Sequence, residues 1–330
     1  MDRMPGSPWG LPGRMNRKDA LMGNALVFGS LNMDLSIACG RMPQQGETLA
    51  GSGFCTNPGG KGANQAVAAA KAGAATSMIG SVGNDAFGHE LIEGLAGYGV
   101  ECSGVTVAPG VPTGVAVIIR TEGDNRIILD HGANGRSCAA EVASEIRQRG
   151  AAGDIFLTQM ECDLETTACA LHAAREAGMR TLLNAAPPEK LPDAAWADVD
   201  IICVNETECA ALVGILPTSR ESAREALSAL CALGPEVAIV TLGAEGSSAL
   251  AEGRFISVAA VRIEAVDTTA SGDTYIGYLA AGYVSGMGLE EAMQRATHAA
   301  GLTATRIGAQ QAIPVASEVD RCSQKEQAQG

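Results

Sequence analysis

From Ala25 onward the chain alternates continuous apolar, β-branched runs with alanine-rich stretches bounded by helix caps, and that rhythm admits few folds. Ala25-Leu-Val-Phe-Gly29 reads as a first buried strand. Further runs are Thr76 to Ile79, Ile155-Phe-Leu-Thr, Thr181-Leu-Leu-Asn, Ile201-Ile-Cys-Val and Val237-Ala-Ile-Val-Thr-Leu. Helices are expected between them: Gly62 to Gly73, Asp85 to Tyr98 (capped by Asn84-Asp85, closed by Gly99), and about Leu164–Ala177, Glu206–Val213 and Ser219–Leu233. A strand that is apolar on both faces must be covered on both. The pattern therefore predicts a mostly parallel sheet between two helix layers.

Two segments break the rhythm. Asp34 to Cys55 and Thr113 to Leu129 alternate polar and apolar residues around the turn signals Pro43-Gln-Gln-Gly46 and Glu122-Gly-Asp-Asn125. Such strands bury one face only, so they are expected to form a small sheet beside the main one, a lid over a ligand or a contact with another subunit. The expected organisation is a single α/β domain over residues 24–316, with lid segments at about 34–56 and 113–130. A leader (1–23) and a C-terminal tail (317–330) flank it. The leader lacks the apolar core of a signal peptide and is expected to be disordered or loosely attached, with Met15 and Met22 as alternative starts.

Composition excludes several function classes. A formal net charge of −14 argues against nucleic-acid and anionic-membrane partners, whose phosphates need basic patches. The 10 cysteines show no paired spacing and the 4 histidines no metal-binding spacing. Free, buried thiols in a reducing cytoplasm are expected rather than a disulfide framework. No apolar run approaches the length of a membrane span.

The chemistry concentrates in short polar motifs. Val266-Asp267-Thr268-Thr269-Ala270-Ser271-Gly272-Asp273-Thr274 sets a glycine and a carboxylate at an expected helix start, where unpaired amides and the macrodipole favour an anion. Asp273 would repel a phosphate, but it is well placed to take a proton from a group attacking one. Alone, it also reads as an ordinary first-turn aspartate. Gly59-Gly60-Lys61-Gly62-Ala63-Asn64-Gln65 fits neither a Walker loop nor a dinucleotide fingerprint, and no strand is expected to run directly into it. Asn32 and Asp34, two apart in extended chain after the first strand, share a face and suit hydroxyl groups. Asn205 and Glu208 have capping-box spacing and also suit magnesium-bound water and phosphate. Thr241 to Gly246 is a glycine turn that either closes a hairpin or passes beneath a nucleotide.

Taken together, these strings resemble the ribokinase (PfkB) family of carbohydrate kinases, with Pro43-x-x-Gly46-Glu47-Thr48-Leu49 and Thr305-Arg306-x-Gly308-Ala309-Gln310 matching too. Order and spacing agree from about Ala25 to Pro314. The resemblance implies a three-layer α/β/α fold with a β-sheet lid, and ATP-dependent phosphorylation of D-ribose at its 5-hydroxyl. Nucleoside, fructose or 2-keto-3-deoxygluconate kinases are the alternatives within the fold, and a non-catalytic sensor is the alternative outside enzymology.

By resemblance, Asp273 is the base and the amides of Ala270, Ser271 and Gly272 form the anion hole. Asn32, Asp34, Gly60, Lys61, Asn64 and Glu161, with Asp273, bind the sugar. Asn205, Thr241, Gly243, Glu245, Gly246, Gly272 and Thr297 bind ATP, and Glu208 orders magnesium through water. Asp267, Thr269, Thr303, Arg306, Gly308 and Ala312 surround a monovalent cation, with potassium expected; Ala312 replaces a serine common at that position. A cytoplasmic homodimer joined through the lid completes the expectation.

Overall fold

A computed structural model describes Trp9, residues 23–121 and residues 124–327. The strands of its main sheet are β1 (Ala25–Phe28), β4 (Thr76–Gly83), β5 (Val100–Ala108), β8 (Ile155–Thr158), β9 (Arg180–Asn184), β10 (Ile201–Asn205), β11 (Val237–Thr241), β12 (Ser247–Ala251) and β13 (Arg254–Val258). Their order is β13-β12-β11-β10-β9-β8-β1-β4-β5. From β11 through β5 all neighbours pair parallel, and β12 and β13 extend one edge antiparallel. The second sheet, β3-β2-β6-β7, joins β2 (Asn32–Ala38), β3 (Ser52–Gly59), β6 (Gly114–Thr121) and β7 (Asp124–Asp130).

Period-two alternation splits the buried strands between two cores, as side chains on a pleated strand must. Ala25, Val27, Ile155, Leu157, Ile201 and Cys203 face one side. There they meet helices α1 (Lys61–Lys71), α2 (Ala86–Gly97), α7 (Ser271–Val284) and α8 (Leu289–Ala304). Leu26, Phe28, Phe156, Ile202 and Val204 face the other. That side is covered by α3 (Ala139–Arg149), α4 (Leu164–Glu176), α5 (Glu206–Val213) and α6 (Arg220–Ala232), and α9 (Ala316–Gln327) packs on α8. The predicted three-layer fold and separate small sheet are both present.

Several boundaries differ from the sequence expectation. β3 runs straight through Gly59, so the Gly-Gly-Lys-Gly segment is entered from a strand after all. The turn into α1 is made by Gly60 alone, at φ 91°. A Cβ there would lie 2.7 Å from the Ser30 carbonyl oxygen, so only glycine fits. Strands β5, β12 and β13 went unforeseen because none carries a continuous apolar run: β5 reads Val-Glu-Cys-Ser-Gly-Val-Thr-Val-Ala and β12 Ser-Ser-Ala-Leu-Ala. All 10 cysteines are free, yet only Cys162, Cys203 and Cys209 are buried, which corrects the expectation of uniformly buried thiols. Of the leader, residues 1–8 and 10–22 lie outside the described residues. Trp9 is fully buried and meets the Tyr283 ring edge-on at 5.7 Å. No helix among the described residues is long and apolar enough to cross a membrane.

Candidate active site

The carboxyl ends of β1, β8, β9, β10 and β11 converge beneath the start of α7. Strand direction reverses its build-out between β1 and β8, the place where open α/β sheets form a crevice. Helices α1 and α7 cross there in close contact. A Cβ on Gly277 would sit 2.4 Å from the Ala68 methyl and 2.6 Å from the Gln65 carbonyl oxygen. That approach brings Asn64 and Gln65 to Asp273, on the first turn of α7. Asn64 Nδ2 donates to Asp273 Oδ2 at 3.0 Å, and Gln65 Nε2 donates to Oδ1 at 2.9 Å. Asn64 Oδ1 is buried with no hydrogen-bond partner. A buried unsatisfied acceptor costs about 1–3 kcal/mol, so this atom awaits a donor.

Beside Asp273 lies a polar pocket built from the small-sheet strand β2 and the α1 entrance. Asn32 and Asp34 share a face of β2, as their spacing predicts. Asn32 Oδ1 accepts from Asn134 Nδ2 at 2.8 Å. Asn134 in turn grips Leu31 at both backbone polar atoms. Sequence reading missed Asn134; its signal was only a Gly-Ala-Asn-Gly turn after β7. The Asp34 carboxylate lies against Gly59, where a Cβ would come within 2.5 Å. Burial first, then the charges of Glu161 and Asp273, push the Asp34 carboxyl up to about 7. Glu161, just beyond β8, accepts from Ser30 Oγ at 2.5 Å and from the Lys61 amide at 3.1 Å. Burial would depress the Lys61 ammonium, but Asp273, Glu161 and Glu208 outweigh it and hold the pKa above its ordinary value. The lysine is thus a fixed cation amid carboxylates.

Asp273 also borders a cleft of about 240 Å³, lined among others by Lys61, Asn184, Asn205, Glu208, Thr241, Thr268, Ala270 and Gly272. Asn205 and Glu208 form a full capping box: Asn205 Oδ1 accepts from the Glu208 amide at 2.8 Å and Glu208 Oε2 from the Asn205 amide at 2.9 Å. Burial raises the Glu208 carboxyl above its usual range, against the opposing pull of the Asn205 amide and Lys61. Of the anion-hole candidates, Ala270 (φ 58°) and Gly272 line the cleft, and the space about Gly272 is open. The Ser271 amide is turned back onto the Thr268 carbonyl at 3.1 Å. Gly243, Glu245 and Gly246 make the tight hairpin between β11 and β12, closed by the Leu242 amide on the Gly246 carbonyl at 2.8 Å; only Thr241 of that motif lines the cleft. Thr297 is buried on α8, its hydroxyl without a partner, and lies outside the cleft lining.

The residues of the expected cation site divide. Asp267 accepts from Thr269 at amide and hydroxyl and from the Gly308 amide at 3.0 Å, tying the two loops together. Burial would raise its pKa, but these donors and the Arg120 charge prevail and hold it below the ordinary range. Thr303 bonds Thr274 and the Ala299 carbonyl inside the helix pair. Arg306 pairs with Glu318 at 2.7 Å, and its second nitrogen reaches the carbonyl of buried Ala312.

The crevice sets the Asp273 carboxylate between a polar pocket and a helix-start cleft, an arrangement suited to a phosphotransferase. Residues 22–316 match the pfkB family of carbohydrate kinases, and the chain belongs to that family. It is 38% identical over 308 residues to a ribokinase of Schizosaccharomyces pombe, covering 90% of this chain and 96% of that one. A deoxyribokinase of Salmonella typhi is 33% identical over 290 residues, covering 87% and 94%. Among solved structures, Arabidopsis thaliana ribokinase complexed with ribose and ATP superposes with a TM-score of 0.85 at 31% identity, covering 91% of this chain and 98% of that one.

Proposed function

We infer that the protein transfers the γ-phosphoryl group of ATP to the 5-hydroxyl of D-ribose, giving ribose 5-phosphate and ADP. The observation that carries this reading is Asp273. Its carboxylate is nearly buried, accepts at both oxygens, and stands where the hydroxyl-binding pocket meets the cleft. In the proposed reaction the sugar oxygen attacks the phosphorus in line while the β–γ bridging bond breaks toward ADP. The hydroxyl proton passes to Asp273. Phosphoryl transfer needs positioning and charge stabilisation more than covalent help. Asn32, Asp34, Gly60, Lys61, Asn64 and Glu161 would supply the first, the open amides of Ala270 and Gly272 and the Lys61 ammonium the second.

The donor set fits magnesium held mainly by the nucleotide and water. Glu208 lines the cleft with one oxygen spent on its cap, and no group of three or more His, Cys, Asp or Glu able to hold a metal exists among the described residues. Bound there, magnesium would neutralise phosphate charge. The Asp267–Gly308 tie supports a monovalent-cation loop behind the anion hole, with Thr303 and Arg306 shaping it rather than ligating through side chains. Exposed Phe54, Ile127 and Ile128 on the lid strands support a homodimer through the lid, which light scattering tests. The resemblance to deoxyribokinases makes 2-deoxyribose the second substrate to weigh.

A coupled ADP-release assay across ribose, 2-deoxyribose, fructose, adenosine and 2-keto-3-deoxygluconate tests the proposal. The expected result is the highest kcat/KM with ribose. Sugar-independent ADP release, or preference for another acceptor, overturns it.

A further inference from the structure

We propose that Gln65 is the positioning residue of the phosphoryl-transfer step, fixing the orientation of the Asp273 carboxylate from its buried side; this rests on Asp273 being the base. Successive residues on a helix point about 100° apart, so Asn64 and Gln65 approach the carboxylate from different directions. Their states of satisfaction differ as well. Asn64 keeps a buried free acceptor, the mark of a side chain with substrate still to bind. Gln65 has nothing left to give. Its Nε2 donates both to Asp273 Oδ1 and to Asn184 Oδ1, each at 2.9 Å, and its Oε1 accepts from Gln159 Nε2 at 2.7 Å.

The network orients the amides of Asn184 and Gln65, whereas Gln159 Oε1 is buried without a partner. Asn184 Nδ2 donates to the Cys203 carbonyl at 3.1 Å, which leaves its oxygen toward Gln65. Gln159 points an N–H at the Gln65 oxygen. With both neighbours so oriented, a flipped Gln65 would set oxygen against the Asp273 carboxylate. Aligned N–H groups therefore run from Gln159 through Gln65 to Asp273, and such a chain polarises in one sense. Gln65 and Gln159 are essentially inaccessible to solvent, so no water can substitute for either. Asn184 lines the nucleotide-side cleft, which makes Gln65 the link between that wall and the base. A donor held on Oδ1 by its own buried partners fixes the rotamer of the Asp273 carboxylate. Oδ2, shared only with Asn64, is left as the oxygen that receives the sugar proton.

The test compares Gln65→Leu and Gln65→Glu with the wild type by kcat, ribose KM and thermal midpoint, with Asp273→Asn as control. The expected result for Gln65→Leu is a kcat down about tenfold with ribose KM within about threefold, the split that a misplaced reacting group gives. In Gln65→Glu an acceptor faces the carboxylate in nearly the same volume, so kcat should fall at least as far. Should the leucine variant not fold, the glutamate variant decides. A folded variant whose kcat stays within about twofold of the wild type, or whose loss is all in ribose KM, overturns the proposal, whether or not its thermal midpoint falls. If Asp273→Asn itself turns over at the wild-type rate, the base assignment falls first and the relay with it.

Discussion

The two walls of the crevice are built differently. The wall proposed to hold the sugar consists of buried and half-buried side chains joined to one another, Asn134 to Asn32, Ser30 to Glu161, Asn64 and Gln65 to Asp273, with the Lys61 amide also donating to Glu161. At the wall proposed for the nucleotide, backbone contributes more: the αL turn at Ala270 and the open first turn of α7 stand beside the side chains of Asn184, Asn205, Glu208 and Thr241. A wall of interlocked side chains arrives preformed, and its specificity resides in residue identity. A wall of amides and glycines takes its function from conformation and tolerates side-chain change. Substitutions on the sugar side should therefore act on chemistry and affinity, and those on the nucleotide side mainly through backbone geometry.

The contrast is broken most readily at Asp273. Asp273→Asn should lower kcat by about 10²–10⁴-fold, the range for a lost general base, while ribose affinity stays near wild type. Steady-state rates and calorimetric titration with ribose check both halves. Gly60→Ala comes next: with φ 91° and the Ser30 carbonyl in the way, it should displace the α1 entrance and raise ribose KM by an order of magnitude or more. Asn134→Ala should cost about 1–3 kcal/mol, read by denaturant unfolding, because the Leu31 amide, the Leu31 carbonyl and Asn32 Oδ1 all lose their partner.

A subtler effect follows from Asp34. Its carboxyl is raised from 3.8 to about 7, so the folded state binds the proton more tightly than the unfolded state. The neutral form's advantage is intact below about pH 4 and is lost as pH rises towards and through 7, so this group makes stability fall across that window. Ribose hydroxyls donate best to the ionised carboxylate, so ribose KM should drop as pH rises through about 7. Asp34→Asn should flatten the profile, and Glu161→Gln should move its inflection lower by removing a raising charge. The smallest expected effect lies behind the nucleotide wall. Asp267→Asn should weaken potassium activation severalfold with little change in ribose KM, and Gly243→Ala should act through nucleotide KM alone.

Legibility in the sequence followed the same division. Buried strands and capped helices were readable because apolar runs and caps are local signals, and Asn205 with Glu208 closes the capping box its spacing suggested. Asp34, Lys61, Asn64 and Asp273 announced themselves as polar residues at strand ends and glycine turns, and the fold brings them together. Asn134, Gln65, Gln159 and Asn184 did not. Each is a neutral amide whose importance depends on partners 94 to 208 positions away, which no local pattern encodes. Strand β12 and the edge strand β13 escaped notice because serine and arginine interrupt their apolar residues. The strand leading into Gly60 was hidden because its residues are exposed on the lid.

The most direct test of the account is the identity of the product. Incubated with ribose and ATP, the wild-type protein should give ribose 5-phosphate, seen by phosphorus NMR as a phosphate coupled to a CH₂ group, in one-to-one ratio with ADP. Phosphate on another ribose hydroxyl, or ADP formed without phosphorylated sugar, would contradict it.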